Sequence, residues 1–126
     1  MPPVFLFHYC PFQPLWEQQG LVQCGPNIER ESPGITVSSL IVSELQRSLN
    51  TFGMKAAGVL LHYVDPFIMR GASLSGLSNW EGPKLLICGD LHHGPTPLKT
   101  LSSYLKREFH DAVLLSFNPM LLEVVR

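Results

Sequence analysis

The stretch KLLICGDLHHGPTPLKTLSSYLKREFHDAVLLSF, from Lys84 to Phe117, decides the fold of this chain. It begins with an apolar run over Leu85 to Cys88, which is typical of a short buried strand. A loop with a glycine near each end follows, and Thr96-Pro97 then opens a helix. Ala112 to Phe117 predicts the next strand. Since neither strand alternates apolar with polar residues, both indicate a parallel sheet that is covered on its two faces.

The N-terminal half shows the same alternation of strand and helix. Val4 to Tyr9 and Ala57 to Val64 are two further apolar runs of strand length. Between them, apolar residues at spacings of three and four predict a helix from Thr36 to Phe52. Asp65-Pro66 predicts the cap and the first residue of a short helix. Residues 10–35 hold four prolines and three glycines, which predicts a long loop.

The predicted fold is a three-layer, Rossmann-like α/β domain with a mainly parallel sheet of about four strands. A length of 126 residues suits one domain, so we expect a single domain over residues 1–126. Asn118-Pro119 predicts the start of a last helix, which has few polar residues opposite its apolar ones. This last helix predicts that the sequence is the N-terminal portion of a larger protein. Its apolar residues are Leu121, Leu122, Val124 and Val125.

Composition excludes several classes of function. A formal net charge of -1 gives no attraction to nucleic acid or to an anionic membrane surface. No apolar run approaches the length that crosses a bilayer. Cys88 lies inside an apolar run and reads as a buried thiol, typical of a reducing compartment, so a cytoplasmic location is expected. No Gly-x-Gly-x-x-Gly or Walker-type loop follows a strand, so no cofactor is predicted.

Polar and titratable residues concentrate directly after the predicted strands. Ligands of an open parallel sheet bind outside the carboxyl ends of its strands, so we expect these residues to share one ligand-binding rim. The predicted rim residues are His8, Tyr9, Asp65, Asp90, His92, His93, Gly94, Thr96 and Asn118.

The loop after the third strand is the most informative part of this rim. Asp90 and His92 are the candidate catalytic pair, because a carboxylate can fix the imidazole tautomer while the imidazole exchanges a proton near neutral pH. His93, Gly94 and Thr96 are expected to contact the ligand, since backbone donors at the start of the following helix receive an anionic group. The alternative is an ordinary turn in which Asp90 bonds backbone amides and the histidines are solvated.

A metal site is another interpretation of the same loop. Asp90-Leu91-His92 has the local look of the first ligand pair in metallophosphoesterases. The next strand of such an enzyme ends in Gly-Asp, whereas this one ends in Phe117-Asn118, so no metal ligands are predicted. A metal-dependent hydrolase fragment stays an alternative. Two other histidines have structural interpretations: His62 as a core or edge histidine, and His110 as a partner of the last helix carbonyls.

Three runs carry a resemblance to a known family. These are LLICGDLHHGP from Leu85, LKTLSSYL from Leu98 and DAVLLSFNP from Asp111. They resemble the N-terminal half of bacterial glycosyltransferases with two Rossmann-like domains (the GT-B type), akin to spore-maturation-protein-like glycosyltransferases. In that family the N-terminal domain shapes the acceptor site and the C-terminal domain holds the nucleotide-sugar. The resemblance implies hexosyl transfer, with Asp90 or His92 deprotonating an acceptor hydroxyl and Asn118 facing the same cleft.

The resemblance also implies that this chain is incomplete as an enzyme. It contains no second Rossmann-like array to bind a nucleotide-sugar, so we expect an acceptor-side domain that is inactive alone. Its expected partner is a C-terminal nucleotide-sugar-binding domain, in the same polypeptide or in another. The competing interpretation is a non-catalytic interaction domain that dimerises or docks through Leu121 to Val125.

Overall fold

A computed structural model describes residues 3–9, 20–28, 34–89 and 96–115 of the chain. The strands are β1 (Val4–Phe7), β2 (Leu21–Gly25), β3 (Ile35–Thr36), β4 (Val59–Val64), β5 (Lys84–Cys88) and β6 (Ala112–Leu115). The helices are α1 (Val42–Thr51), α2 (Pro66–Met69) and α3 (Pro97–Arg107), and Leu77–Asn79 forms a 3-10 turn. No helix within these ranges is long and apolar enough to cross a membrane.

The six strands form one parallel sheet in the order β3-β2-β1-β4-β5-β6. This confirms the α/β prediction, and it is the strand order of the doubly wound Rossmann fold. The central strands pair in continuous register, with Phe7 opposite His62 and His62 opposite Leu86. The chain therefore builds the sheet outward from β1 to one edge and then from β4 to the other.

The predicted number of about four strands is wrong, because residues 10–35 contain β2 and the start of β3 rather than a loop throughout. The reason is local composition: β2 includes the polar Gln23 and lies between Gly20 and Pro26, which reads as a turn-rich segment. Its hydrogen-bonding partner is β1, with Val4 opposite Leu21, so the tertiary context decides the strand. For the same reason the first helix begins at Val42 rather than Thr36, since Thr36 pairs with Gly25 in the sheet.

The βαβ unit from β5 to β6 forms as predicted. Thr96 is the N-cap of α3 and Pro97 its first residue, while Lys106 and Arg107 occupy the last turn. The helix ends at Arg107 because Glu108 is extended and its carboxylate accepts hydrogen bonds from two backbone amides of another segment. Phe109 therefore lies after the helix and is 63% exposed.

Asp65-Pro66 confirms the predicted cap. The Asp65 Oδ1 atom accepts a hydrogen bond from the Ile68 amide at 3.0 Å, and Pro66 is the first residue of α2. Pro66 suits this position because its missing amide hydrogen would have no helical partner there.

A single hydrophobic cluster joins one face of the sheet to α1, α3 and the segment around the 3-10 turn. The indole ring of Trp80 is 1% exposed and meets the Phe5 ring edge-on at 5.5 Å between centroids. The sheet contributes Phe5, Phe7, Cys24, Leu60, Val64, Leu86 and Cys88; the covering segments contribute Val42, Leu45, Leu49, Leu74, Leu77, Leu101 and Tyr104.

Candidate functional site

The carboxyl ends of β1, β4 and β5 lie side by side at one edge of the sheet. The β1–β4 register sets Phe7 opposite His62, and the β4–β5 register sets Val64 opposite Cys88. The order of the sheet reverses between β1 and β4, because the chain proceeds from β1 to β2 on one side and enters β4 on the other. Such a reversal opens the crevice in which ligands of this architecture bind. We call the ends of these three strands the rim.

The ends of β4 and β5 are in direct contact at the rim. The Gly89 amide donates to the Val64 carbonyl at 3.2 Å. A Cβ atom on Gly89 would lie 3.3 Å from the Cβ of Asp65, so the two residues that follow these strands touch. Asp65 was predicted as a ligand-binding residue, and one of its carboxylate oxygens caps α2 in this arrangement. Its side chain is half-buried.

Gly25 brings the end of β2 against the residues that follow β1. Its φ of 155° lies in the range that favours glycine, and a Cβ atom there would be 1.9 Å from the His8 carbonyl oxygen. The Asn27 side-chain amide then donates to the Tyr9 carbonyl at 2.6 Å. The path of the chain after β1 is therefore fixed by backbone contacts with the residues that end β2.

The structure places the two predicted site residues after β1 in the interior. His8 is 2% exposed and Tyr9 is 6% exposed. The Tyr9 hydroxyl lies 2.7 Å from His62 Nε2 and accepts a hydrogen bond from the Leu74 amide at 2.8 Å. The hydroxyl of Tyr9 is thus directed into the core beneath the rim, where it joins residues that the sequence analysis had not grouped with it.

The predicted catalytic pair, Asp90 and His92, lies outside the described residues, as do His93, Gly94 and Asn118. Their roles stay predictions. Gly89, the last described residue before this loop, lies at the rim in contact with Asp65.

Under the rim, a chain of hydrogen bonds connects Tyr9 to His62 and His110. His62 lies in the middle of β4, is fully buried, and has its Nδ1 atom 3.4 Å from His110 Nε2. His110 Nδ1 lies 3.0 Å from the Glu108 carbonyl. The two imidazole rings stack at 12° with 5.6 Å between centroids. We refer to Tyr9, His62, Tyr104 and His110 as the buried network.

One assignment of protons satisfies this chain when both histidines are neutral. Because a carbonyl only accepts, His110 donates from Nδ1 to Glu108, and its Nε2 is then an acceptor for His62 Nδ1. His62 Nε2 is left as an acceptor and receives the Tyr9 hydroxyl hydrogen. Every link therefore points the same way, from the Leu74 amide to the Glu108 carbonyl.

Tyr104 closes the network from α3. Its hydroxyl donates to the Leu74 carbonyl and lies 3.4 Å from His62 Nδ1. The backbone of Leu74 is consequently held on both sides, by Tyr9 at its amide and by Tyr104 at its carbonyl. The network therefore ties β1, β4, α3 and the segment before the 3-10 turn into one unit beneath the rim.

Burial keeps these groups uncharged. Desolvation, followed by the neighbouring His110, lowers the pKa of His62 to about 3. Desolvation also lowers the pKa of His110, with the Glu108 carbonyl opposing this shift. The pKa values of the Tyr9 and Tyr104 hydroxyls are raised, again mainly by burial. The network is a neutral structural element at physiological pH rather than a source of exchangeable protons.

The sequence held a partial signal for this network. His62 was interpreted as a core or edge histidine and His110 as a partner of terminal helix carbonyls, and the contacts confirm the core position and the carbonyl contact. Tyr104 lies three residues after Leu101 on the buried stripe of α3, so its hydroxyl had to find an internal partner. What the sequence could not give was the pairing, since Tyr9 and His62 are 53 residues apart.

The described cysteines are buried free thiols. Burial raises the pKa of Cys24 to about 12 and, together with the Asp65 carboxylate, that of Cys88 to about 12. Neither is a thiolate nucleophile at neutral pH. Over residues 3–9, 20–28, 34–89 and 96–115, no three His, Cys, Asp or Glu side chains converge as metal ligands.

Thr96, the remaining predicted ligand residue, is exposed at the start of α3 with a φ of 51°. It lies at one end of an open groove between α2 and α3, which also contains Arg70, Lys99 and Arg107. The groove is lined by polar and cationic groups from both helices, in contrast to the neutral network beneath the rim.

Comparison of the chain with models of protein families, with curated protein sequences and with solved structures finds no match in any of the three.

Proposed function

We propose that this chain is a ligand-binding Rossmann-like domain that forms the acceptor side of a glycosyltransferase-like protein and does not transfer sugar alone. The supporting observation is the strand order, because β3-β2-β1-β4-β5-β6 brings the ends of β1, β4 and β5 together. The glycosyltransferase assignment adds to this the resemblance of the stretch from Leu85 to Pro119. A cytoplasmic location belongs to the same proposal.

In this proposal the loop after β5 does the chemistry. Asp90 or His92 takes the proton from an acceptor hydroxyl as its oxygen bonds to the anomeric carbon of the donor sugar, and the nucleoside diphosphate leaves. His93, Gly94, Thr96 and Asn118 would contact the acceptor. The nucleotide-sugar would be held by a separate domain facing the rim, so this chain contributes the base and the acceptor pocket.

The buried network supports this role by fixing the walls of the rim. Tyr9 is anchored through its hydroxyl to His62 and Leu74, and its carbonyl is held by Asn27. Contacts of this kind hold a binding site in one geometry before the ligand arrives, which lowers the entropic cost of binding. His8 and Tyr9 would thus shape the pocket from below.

Binding measurements test the proposal. The chain is titrated with glucose, galactose and N-acetylglucosamine, and separately with UDP and UDP-glucose, by ligand-observed NMR. We expect a monosaccharide to bind and UDP-glucose not to bind, because the donor domain is separate. Asp90→Asn and His92→Gln should weaken saccharide binding by about tenfold, the size of a lost charged or neutral hydrogen bond in a binding site.

Asp111→Asn is the matched control, because Asp111 lies before β6 at the amino edge of the same sheet, where it accepts from the Lys84 amide. It should leave the saccharide affinity within twofold. Tighter binding of UDP-glucose than of any saccharide would overturn the proposal, as would Asp90→Asn and His92→Gln variants that bind like the unsubstituted chain.

Self-association is the second candidate, and the exposed side chains near β6 favour it. β6 is an edge strand of the described sheet, Leu114 on it is 57% exposed, and Phe109 just before it is 63% exposed. Apolar side chains at a sheet edge are suited to contact with another protein surface. Light scattering after gel filtration tests this candidate: a dimer that Leu114→Glu converts to monomer supports it, and a monomeric unsubstituted chain excludes it.

A further inference from the structure

The groove between α2 and α3 gathers three cationic side chains on a small area. Its volume is about 400 Å³, within the range of sites for small ligands. Arg70 comes from the end of α2, and Lys99 and Arg107 come from α3. Eight residues separate the latter two, which is roughly 12 Å along a helix axis and within the combined reach of two long side chains. The hydroxyl groups of the groove belong to Thr96, Thr100 and Ser103.

The cations of this groove form no ion pair within the described part of the protein. The one ion pair among the described residues joins Arg47 to Glu44 on α1. Glu108 follows Arg107 directly, yet both of its oxygens accept backbone hydrogen bonds from the Gly76 and Leu77 amides. The three cations are exposed, so their charged groups are available to an anion that enters the groove.

The remaining contacts set which groups can donate to a ligand. The Thr100 hydroxyl already donates to the Thr96 carbonyl at 3.1 Å, as a helical threonine commonly does. The Arg107 guanidinium lies over the Tyr104 ring at 5.8 Å, which restricts its position against α3. Ser103 is exposed one turn before Arg107 and records no hydrogen bond within the described ranges. The donors that line the groove are therefore two guanidinium groups, one ammonium and the hydroxyls of Thr96 and Ser103.

We propose that the groove between α2 and α3 is a binding site for the phosphoryl group of a small ligand. A phosphoryl group carries up to two negative charges and three terminal oxygens, so it can accept from all three cations at once. Guanidinium groups suit it because they donate two parallel hydrogen bonds to phosphate oxygens. A carboxylate carries only one negative charge, so it balances less of the charge of the three cations. The groove shares Thr96 with the acceptor contacts proposed above, but none of its three cations belongs to the rim, so this site does not depend on the function proposed for the rim.

The same observations favour a small ligand over a nucleic acid. Only three of the nine Lys and Arg residues line the groove, and the chain as a whole carries a net charge of -1. A nucleic acid is held by an extended basic surface, which neutralises many successive phosphates. A groove of this size with three cations is matched to one or two phosphoryl groups.

Titration with inorganic phosphate and with pyrophosphate, followed by amide chemical shifts of the full chain, tests this proposal. We expect saturable shifts at Thr100 and Ser103, with pyrophosphate bound more tightly than phosphate. Arg70→Gln and Lys99→Gln should each weaken pyrophosphate binding by about tenfold. Lys106→Gln is the matched control, since Lys106 is an exposed cation on the same helix outside the groove, and it should change the affinity by less than twofold.

The variants change exposed residues, so their folding is not at risk, and an unchanged spectrum away from the groove verifies it. Two results would overturn the site. The first is the absence of a saturable shift in the groove up to about a 20-fold molar excess of pyrophosphate over protein, in phosphate-free buffer. The second is equal weakening of pyrophosphate binding by Lys106→Gln and Lys99→Gln. A single-stranded RNA oligomer that binds the groove far more tightly than pyrophosphate would overturn the assignment to a small ligand.

Discussion

The Tyr9 hydroxyl lies 2.7 Å from His62 Nε2, although the two residues are 53 positions apart in the chain. This contact joins the end of β1 to the centre of β4, the two strands between which the order of the sheet reverses. The rim, where ligands of this architecture bind, therefore lies over the buried network.

Removal of the Tyr9 hydroxyl tests this relationship. Tyr9→Phe keeps the ring but leaves the Leu74 amide and His62 Nε2 buried without their partner. Each such group costs about 1–3 kcal/mol, so we expect the free energy of unfolding to fall by at least about 2 kcal/mol in urea denaturation. Tyr63→Phe is the control, since Tyr63 lies one residue further along β4 and is half-buried; it should cost less than about 0.5 kcal/mol. Equal losses for both variants would contradict the network.

The pH dependence of stability follows from the two histidines. Their pKa values in the folded state are lowered, that of His62 from 6.5 to about 3, so the unfolded chain binds more protons below pH 6.5. Stability is therefore fully present above about pH 6.5 and is lost as the pH falls from 6.5 toward 3. Each histidine contributes a slope of at most about 1.4 kcal/mol per pH unit.

Urea denaturation between pH 7.5 and pH 5 measures this slope in a range above the titration of most carboxylates. The charged groups that face His110 are Glu108, Lys84 and Asp111. His110→Gln removes one titrating group and should reduce the slope. A free energy of unfolding that stays constant from pH 7.5 to pH 5 would show that the histidines are not buried in their neutral form.

Glu108, the residue that follows α3, holds the end of this helix against the start of the 3-10 turn. Its two oxygens accept from the Gly76 and Leu77 amides at 3.0 and 3.1 Å. Glu108→Ala leaves both amides without this partner and should lower the free energy of unfolding by about 2–3 kcal/mol. Glu81→Ala, at an exposed glutamate just before β5, should change it by less than about 0.5 kcal/mol. Similar values for the two variants would argue against the Glu108 contacts.

Gly25 sets the close approach of β2 to the residues after β1. In Gly25→Ala the new methyl group would collide with the His8 carbonyl, and the sheet backbone on both sides resists a shift. We expect a loss of at least about 2 kcal/mol in thermal or urea unfolding. Gly71→Ala meets no atom within 4 Å and should be neutral or slightly stabilising. A Gly25→Ala protein as stable as the original chain would show that the two strand ends are further apart.

The elements with strong local patterns could be predicted from the sequence. The β5–α3–β6 unit and the Asp65-Pro66 cap form where apolar periodicity and capping residues placed them. β2 was missed because glycine and proline surround it and Gln23 interrupts its apolar pattern, while its stability comes from pairing with β1. The buried network was missed for a related reason, since hydrogen bonds between distant side chains leave no local pattern in the sequence.

The candidate site was predictable as a location rather than as a set of contacts. The rule that ligands bind at carboxyl strand ends correctly grouped Asp65 with the residues that follow β5, because β4 and β5 are neighbours. The same rule grouped Tyr9 with them, and its neighbouring position is confirmed while its hydroxyl lies in the interior. The rule predicts which residues lie at the ends of the strands. The direction of each side chain depends on how the helices pack against the sheet.

Chemical-shift mapping of a bound monosaccharide tests the central claim, that the joined ends of β1, β4 and β5 form the binding site. The saccharide that binds best among glucose, galactose and N-acetylglucosamine is added to the isotope-labelled chain, and amide shifts are followed residue by residue. We expect the largest amide shifts at Tyr9, Asp65 and Gly89. Shifts confined to the opposite edge of the sheet, around Ala57, Gly82 and Asp111, or no saturable shift with any of the three sugars, would contradict it.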